Sequence, residues 1–179
     1  AGARVRAAGI APIGTPGAVA LAPIVAEAAA IAAAAAPWLS PPYLPPIEFA
    51  LQLPPIDTAL LQDAVPNGDA VRSDARLVGT LAGARPGGLV RCSFARVDVA
   101  KTLDLWIEHV VLCALHSPGV PSARSAHAAP PGSPPLPTHS RRIGRRPAAD
   151  RNGGAATIAF GPVEAPERVL ATLVGLYRA

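Results

Sequence analysis

Methionine is absent from all 179 residues. Either an initiator was removed ahead of Ala1 or the chain is a piece of something longer, and the second is the expectation here. Cysteine is scarce: Cys92 and Cys113 have no second pair to complete a zinc ribbon, and so few thiols argue against a disulfide framework. Two buried thiols in a reducing cytoplasm fit that count. No Gly-x-Ser-x-Gly elbow occurs, and the sequence places no histidine beside either cysteine as a base. Gly79, Gly83, Gly87 and Gly88 lack the lysine and Ser/Thr that end a phosphate loop, so ATP binding is not encoded by that motif. Residues 1–20 are not expected to form a secretory signal, because Pro12, Gly14, Pro16 and Gly17 interrupt what should be a continuous apolar core. Residues 18–36 are long enough to raise the question of a membrane span, but they are mostly alanine and include Pro23 and Glu27. They read as a soluble helix, and the expectation is a cytoplasmic protein with no membrane partner.

What is present suffices for one domain: apolar residues make up 50% and charged residues 16%. The 22 prolines and 16 glycines are not spread evenly, and residues 117–154 are too rich in them to pack. The expected organisation is one α/β domain built from residues 1–116 and 155–179, with residues 117–154 as a disordered Pro/Gly/Arg-rich insert. The formal charge of +4 suits a polyanion without demanding one. Its distribution says more: Arg141, Arg142, Arg145, Arg146 and Arg151 fall within 11 residues of that insert.

Along the chain, Leu21, Ile24, Val25 and Ala28 recur at helical spacing and are expected to face a core. Pro23 opens or kinks this helix, Pro37 ends it, and the prolines between Pro41 and Pro46 make a stiff, extended connection. Ile47, Phe49, Leu51 and Leu53 then alternate with Glu48, Ala50 and Gln52, as a half-buried strand requires. Residues 57–73 carry mixed signals and a turn at Asn67-Gly68-Asp69, and read as loop. Residues 76–84 and 89–95 are two apolar runs joined by Arg85-Pro86-Gly87-Gly88, which predicts a hairpin. Asp98 stands at an N-cap, ahead of a stripe of Leu103, Trp106, Ile107, Val110 and Ala114. Residues 156–160 read as a strand, and Pro166 starts a helix with Leu170, Leu173, Val174 and Tyr177 on one face.

The order helix, three strands, helix, strand, helix gives a central mixed sheet flanked by helices. It matches the core of restriction-endonuclease-like nucleases, whose metal site lies across the hairpin. Such a site needs an acid on the first strand, then an acid and a lysine two residues apart on the second, all on one face. Here the first strand reads Leu77-Val78-Gly79-Thr80-Leu81-Ala82 and the second Val90-Arg91-Cys92-Ser93-Phe94. Neither register supplies the carboxylates. Asp98 and Lys101 have the right types but sit at a helix start, where capping and solvation account for them. Glu108 and His109 are adjacent and point to different sides of their helix, and His116 suits the negative end of that helix. The expectation is no catalytic and no metal-ligating residue.

The run Arg76-Leu77-Val78-Gly79-Thr80-Leu81, the turn, Leu89-Val90-Arg91 and the helix from Leu103 to Ala114 together resemble the C-terminal domain of RecC, the gamma chain of exodeoxyribonuclease V. Phe160-Gly161-Pro162-Val163 and the segment from Leu170 to Tyr177 are similar to that family as well. The likeness runs from about Gly9 to the end and is strongest over residues 76–114. It implies a nuclease-like fold that has lost its active site, within a heterotrimer whose RecB-type and RecD-type subunits hold the helicase motors, the nuclease, and the magnesium and ATP. Two departures stand out: the Pro/Arg-rich insert, and the end at Ala179, where further sequence is expected. The helicase-like region that precedes this domain in the family is absent, so no residue for hotspot recognition carries over.

The resulting expectation is a noncatalytic domain that makes subunit contacts and guides DNA during recombinational repair of double-strand breaks. The five arginines are its candidate phosphate contacts. An active magnesium-dependent nuclease with a migrated acid, and an unstable fragment with no function of its own, are the alternatives.

Overall fold

The computed structural model describes residue 8 and residues 14–55, 75–116, 137–146 and 154–178. The loop read over residues 57–73 lies outside them. Helix α1 (Thr15–Leu39) starts behind Gly14 and carries Pro16 in its first turn, where a missing N–H costs nothing. It runs through Pro23 and on past Pro37, two residues beyond the predicted stop. Alanine is the best helix former, and a run of it offsets the roughly 3 kcal/mol cost of an internal proline. The amide of Ser40 closes the last turn on Ala36 O, and Pro41 and Pro42 then end it. The helix buries Gly17, Ile31 and Ala35, whereas Ile24 and Val25 are half exposed and Ala28 is exposed. In so alanine-rich a segment the branched residues do not mark the inward face. By length and composition α1 could cross a bilayer; its C-terminal half is seated on a sheet.

Strands β1 (Ile47–Gln52) and β2 (Arg76–Leu81) form an antiparallel two-stranded ribbon, with Phe49 opposite Gly79. The predicted hairpin is cut short. Only β3 (Ala84–Arg85) pairs with β4 (Gly88–Arg96) across the turn, because Gly83, at φ 79°, redirects the chain between β2 and β3. β2 thereby joins β1 instead of β4. Gly88 completes the turn at φ 121°, and a Cβ there would lie 2.0 Å from His139 O.

The main sheet has four strands in the order β3-β4-β5-β6, with β5 (Ser140–Arg145) parallel to β4 and antiparallel to β6 (Ala155–Phe160). The protein is thus α/β with a mixed sheet flanked by helices, as expected. The position of β5 corrects the expected insert. Residues 140–145 lie inside the segment read as disordered, yet they form an inner strand whose Ile143 is 0% exposed. Proline and arginine dominate that composition, and this strand packs with one large apolar side chain, so nothing in the local pattern announces it. Residues 117–136 and 147–153 lie outside the described residues. A bulge separates Cys92↔Ile143 from Arg96↔Arg145 in the β4–β5 pairing. Gly144 sits opposite it, where a Cβ would come within 2.6 Å of Ala95 O.

Helix α2 (Val99–Ala114) covers the sheet face opposite α1, and α3 (Pro166–Arg178) packs on α2. At the start of α2 the amide of Thr102 bonds to Asp98 O, as an N-cap residue's carbonyl does. Its buried side chains include Leu105, His109, Val110 and Leu112, while Leu103 and Ile107 of the predicted stripe stand half exposed. One core joins β1 and β2 to α2 and α3 through Leu51, Leu53, Val110, Val111, Leu170 and Ala171. A second joins Leu81 and Leu89 to Leu105 and Leu112, and a third seats Ile31 and Ala35 on Val90 and Ile143. In α3, Tyr177 is 93% exposed, so the inward face is Leu170, Ala171 and Gly175.

Candidate nucleic-acid interface

The candidate arginines begin on a strand, and a strand turns alternate side chains to opposite faces. Arg141, Ile143 and Arg145 face α1: the Arg141 guanidinium lies 3.7 Å above the Trp38 ring, and Arg145 Nε is 2.9 Å from Glu27 Oε1. Arg145 also approaches the Phe94 ring at 5.0 Å. Arg142 falls on the α2 face with Ser140, opposite Arg91 in the neighbouring strand. Arg146 is exposed just past the strand and donates from Nε to Ala155 O at 3.3 Å. Arg151 lies outside the described residues. The four described arginines are therefore parted by the sheet, with one pair docked on α1, and do not form the single flexible basic cluster expected.

The α2 face carries a polar constellation that sequence reasoning missed. His109 is 0% exposed and ties three elements together. Its Nε2–H donates to Gly161 O at 2.7 Å, which fixes the tautomer, and its Nδ1 then accepts from Ser140 Oγ at 2.9 Å. The ring stacks on Phe160, with centroids 5.5 Å apart, and Cys113 Sγ lies 3.6 Å from Nε2. Burial pushes the His109 pKa below that of a free histidine, as does nearby His139, against the opposing bond to Gly161. Burial likewise raises the Cys113 thiol. A serine and a histidine in contact would suggest a nucleophile and its base, but both are fully enclosed. The pair is a core brace: α2 presents the ring, β5 the hydroxyl and the segment after β6 the carbonyl. Only the adjacency of His109 to an apolar run hints at it, since Ser140 and Gly161 are 31 and 52 residues away.

Neighbouring Glu108 points elsewhere and bonds Arg91 at 2.6 Å. His116 contacts Leu112 O at 3.0 Å, as its place at the helix end predicted. Cys113 is buried as expected, whereas Cys92 is exposed on β4. The Asp98–Lys101 pairing involves a side chain outside those described. The donor set does not fit a magnesium site: β2 and β4 carry no carboxylate, and among the described residues no three His, Cys, Asp or Glu side chains gather.

A mixed sheet between helices, braced by a buried histidine, defines an α/β domain. The RecC C-terminal domain family model matches residues 1–179, and the chain belongs to that family. Membership ties it to the RecC-type subunit of exodeoxyribonuclease V, a multi-subunit complex that acts on DNA in repair. No curated protein and no solved structure matches the chain.

Proposed function

We propose that this chain is a noncatalytic domain that makes subunit contacts and guides DNA in a RecBCD-type helicase–nuclease during double-strand break repair by recombination. The family match over the whole chain is the observation that carries this reading. The core is a degenerate restriction-endonuclease-like one in which the metal-binding acids have been lost from the strands. Magnesium and ATP act on other subunits, and the complex works in the cytoplasm. RecB-type and RecD-type subunits are the partners. Exposed apolar side chains on α2, Val99 and Leu103, suit a protein contact.

DNA contact falls to arginines that bind phosphate without reading bases. Arg142 on the α2 face and Arg146 just past β5 are its candidates, with Arg151 beyond them in sequence; Arg141 and Arg145 contribute from the α1 face.

Copurification with RecB-type and RecD-type subunits tests the assembly role, and failure of both to retain the chain refutes it. For DNA, affinity is measured across salt for the intact chain and for Arg142→Gln/Arg146→Gln/Arg151→Gln. Each lost phosphate contact flattens the slope by about 0.7–0.9. Identical slopes remove these three arginines from the account. Deleting residues 141–151 outright is not a usable test, because it removes most of β5 from the sheet.

A further inference from the structure

β6 closes the main sheet on one side, and its outer edge is unlike the rest of the rim. On the other side β3 is only two residues long, and β4 carries Arg91, Arg96 and a bulge. Short strands, charge and bulges all discourage a sheet from pairing with another chain. β6 has none of them. Its six residues, Ala155-Ala156-Thr157-Ile158-Ala159-Phe160, include no charge and no proline, and its pairing with β5 is unbroken.

The phase of the ladder decides which backbone groups point outward. Arg146 N–H donates to Gly154 O, so these two residues face each other as a bonded pair. Every second pair along the ladder does the same, Arg142 with Ile158 among them. Ala155, Thr157 and Ala159 therefore turn their amides and carbonyls away from β5. Side chains take the carbonyls at both ends: Arg146 Nε donates to Ala155 O at 3.3 Å, and His109 Nε2 to Gly161 O just beyond the strand. Between them Thr157 and Ala159 are exposed, and among the described residues no backbone bond reaches either from outside the sheet. The strand is held at its ends, Ala155 against α1 and Phe160 against the His109 ring. An open ladder fixed in advance loses little freedom when another strand extends it.

Charge selects what extends it. β5, about 4.8 Å away, sets Arg141 beside Ala159 on the α1 face and Arg142 beside Ile158 on the α2 face. Alanine is too short to screen a guanidinium on the next strand. Two carboxylates come to the same sheet faces, Glu27 on Arg145 and Glu108 on Arg91, and the five arginines 91, 141, 142, 145 and 146 outnumber them. A second copy of this chain fits poorly. Pairing two β6 strands would set the β5 arginines of one copy against those of the other across two neutral strands. Two six-residue strands also make a contact far smaller than the roughly 1,200 Å² of a stable interface.

We propose that the outer edge of β6 accepts an extended acidic segment of a partner protein as an additional strand. Thr157 and Ala159 supply the backbone donors and acceptors, and Arg141 and Arg142 meet carboxylates on either face. The inference rests on the subunit-contact reading above and gives it one surface and one partner chemistry.

The test titrates the full chain, at physiological salt, with a short fluorescein-labelled peptide of alternating glutamate and valine and with its lysine counterpart. The glutamate peptide is expected to bind about tenfold more tightly or better. N-methylating its backbone amides keeps the charge, removes the ladder donors and weakens binding about tenfold. Thr157→Pro removes an outward amide that the β5–β6 ladder does not use, so the sheet persists while the peptide is lost to a similar degree; circular dichroism verifies the fold. Equal binding of the two peptides, or indifference to N-methylation, overturns the proposal. So does a dimer in sedimentation that Thr157→Pro dissolves, since the edge then belongs to a second copy. No other subunit is present in the titration, so its failure removes the edge and leaves the assembly role to the copurification experiment. A chain that binds the peptide but retains neither subunit keeps the edge and loses that role.

Discussion

Acid should loosen this domain through one side chain. His109 is enclosed and neutral, with one proton committed to Gly161 O and its other nitrogen accepting from Ser140. Its folded pKa is lowered by burial, whereas in the unfolded chain it titrates near 6.5. As pH falls through about 6.5, the unfolded state takes up a proton that the folded state refuses, so the stability present above that pH is progressively lost. The limiting slope is one proton, about 1.4 kcal/mol per pH unit, down to the folded pKa. Protonation would also force Nδ1 to donate, leaving Ser140 to reorient inside a closed site.

Urea unfolding at steps between pH 8 and pH 5.5 reads that slope above the range where carboxylates dominate. His109→Gln keeps a polar group but cannot reach both partners. It should lower stability at pH 8 by about 2 kcal/mol, the cost of leaving one buried group unmatched. Its dependence on pH should be flatter than that of wild type, because His116, His127 and His139 are common to both chains. Parallel pH profiles for wild type and variant would falsify the assignment of the acid sensitivity to this ring.

Three further outcomes follow from the geometry. Gly88→Ala places a Cβ 2.0 Å from His139 O at φ 121°, and should cost roughly 2–4 kcal/mol in urea unfolding; a wild-type midpoint refutes the tight approach. The Arg91–Glu108 pair is 2.6 Å apart, but each side chain is 37% exposed, so a double-mutant cycle should give a coupling below about 1 kcal/mol, weaker in salt. With magnesium and linear duplex DNA the chain should release no nucleotides, and metal-dependent cleavage abolished by Asp98→Ala would overturn the noncatalytic reading.

The sequence makes the elements legible where period and punctuation agree. Residues 47–52 alternate cleanly and are a strand; Asp98 and Pro166 precede and open helices that form where expected. Pairing is less visible. Two apolar runs with a glycine turn between them read as one hairpin, yet Gly83 and Gly88 together leave a two-residue β3, and β2 goes to a different sheet. A turn signal specifies that the chain reverses, not how far back from the turn the ladder extends. Choosing β1 as the partner of β2 depends on the core in which Phe49, Leu51 and Leu77 meet α2 and α3, a long-range packing that local pattern does not encode.

The site shows the same division between composition and position. Five arginines in 11 residues look like one solvated basic tract when only their density is weighed. Had residues 140–145 been recognised as a strand, alternation alone would have sent Arg141 and Arg145 one way and Arg142 the other. What conceals the strand is that its inward positions are Ser140, Ile143 and Gly144, each buried for a different reason: a bond to His109, contact with α1, and room for a bulge. None is a periodic apolar signal. The arginines between them gain definite roles only from what lies opposite, Trp38 and Glu27 on α1. A basic tract inside a fold is therefore interpretable only after the sheet has assigned each side chain a face, and here that assignment docks Arg141 and Arg145 on α1 and sends Arg142 to the α2 face.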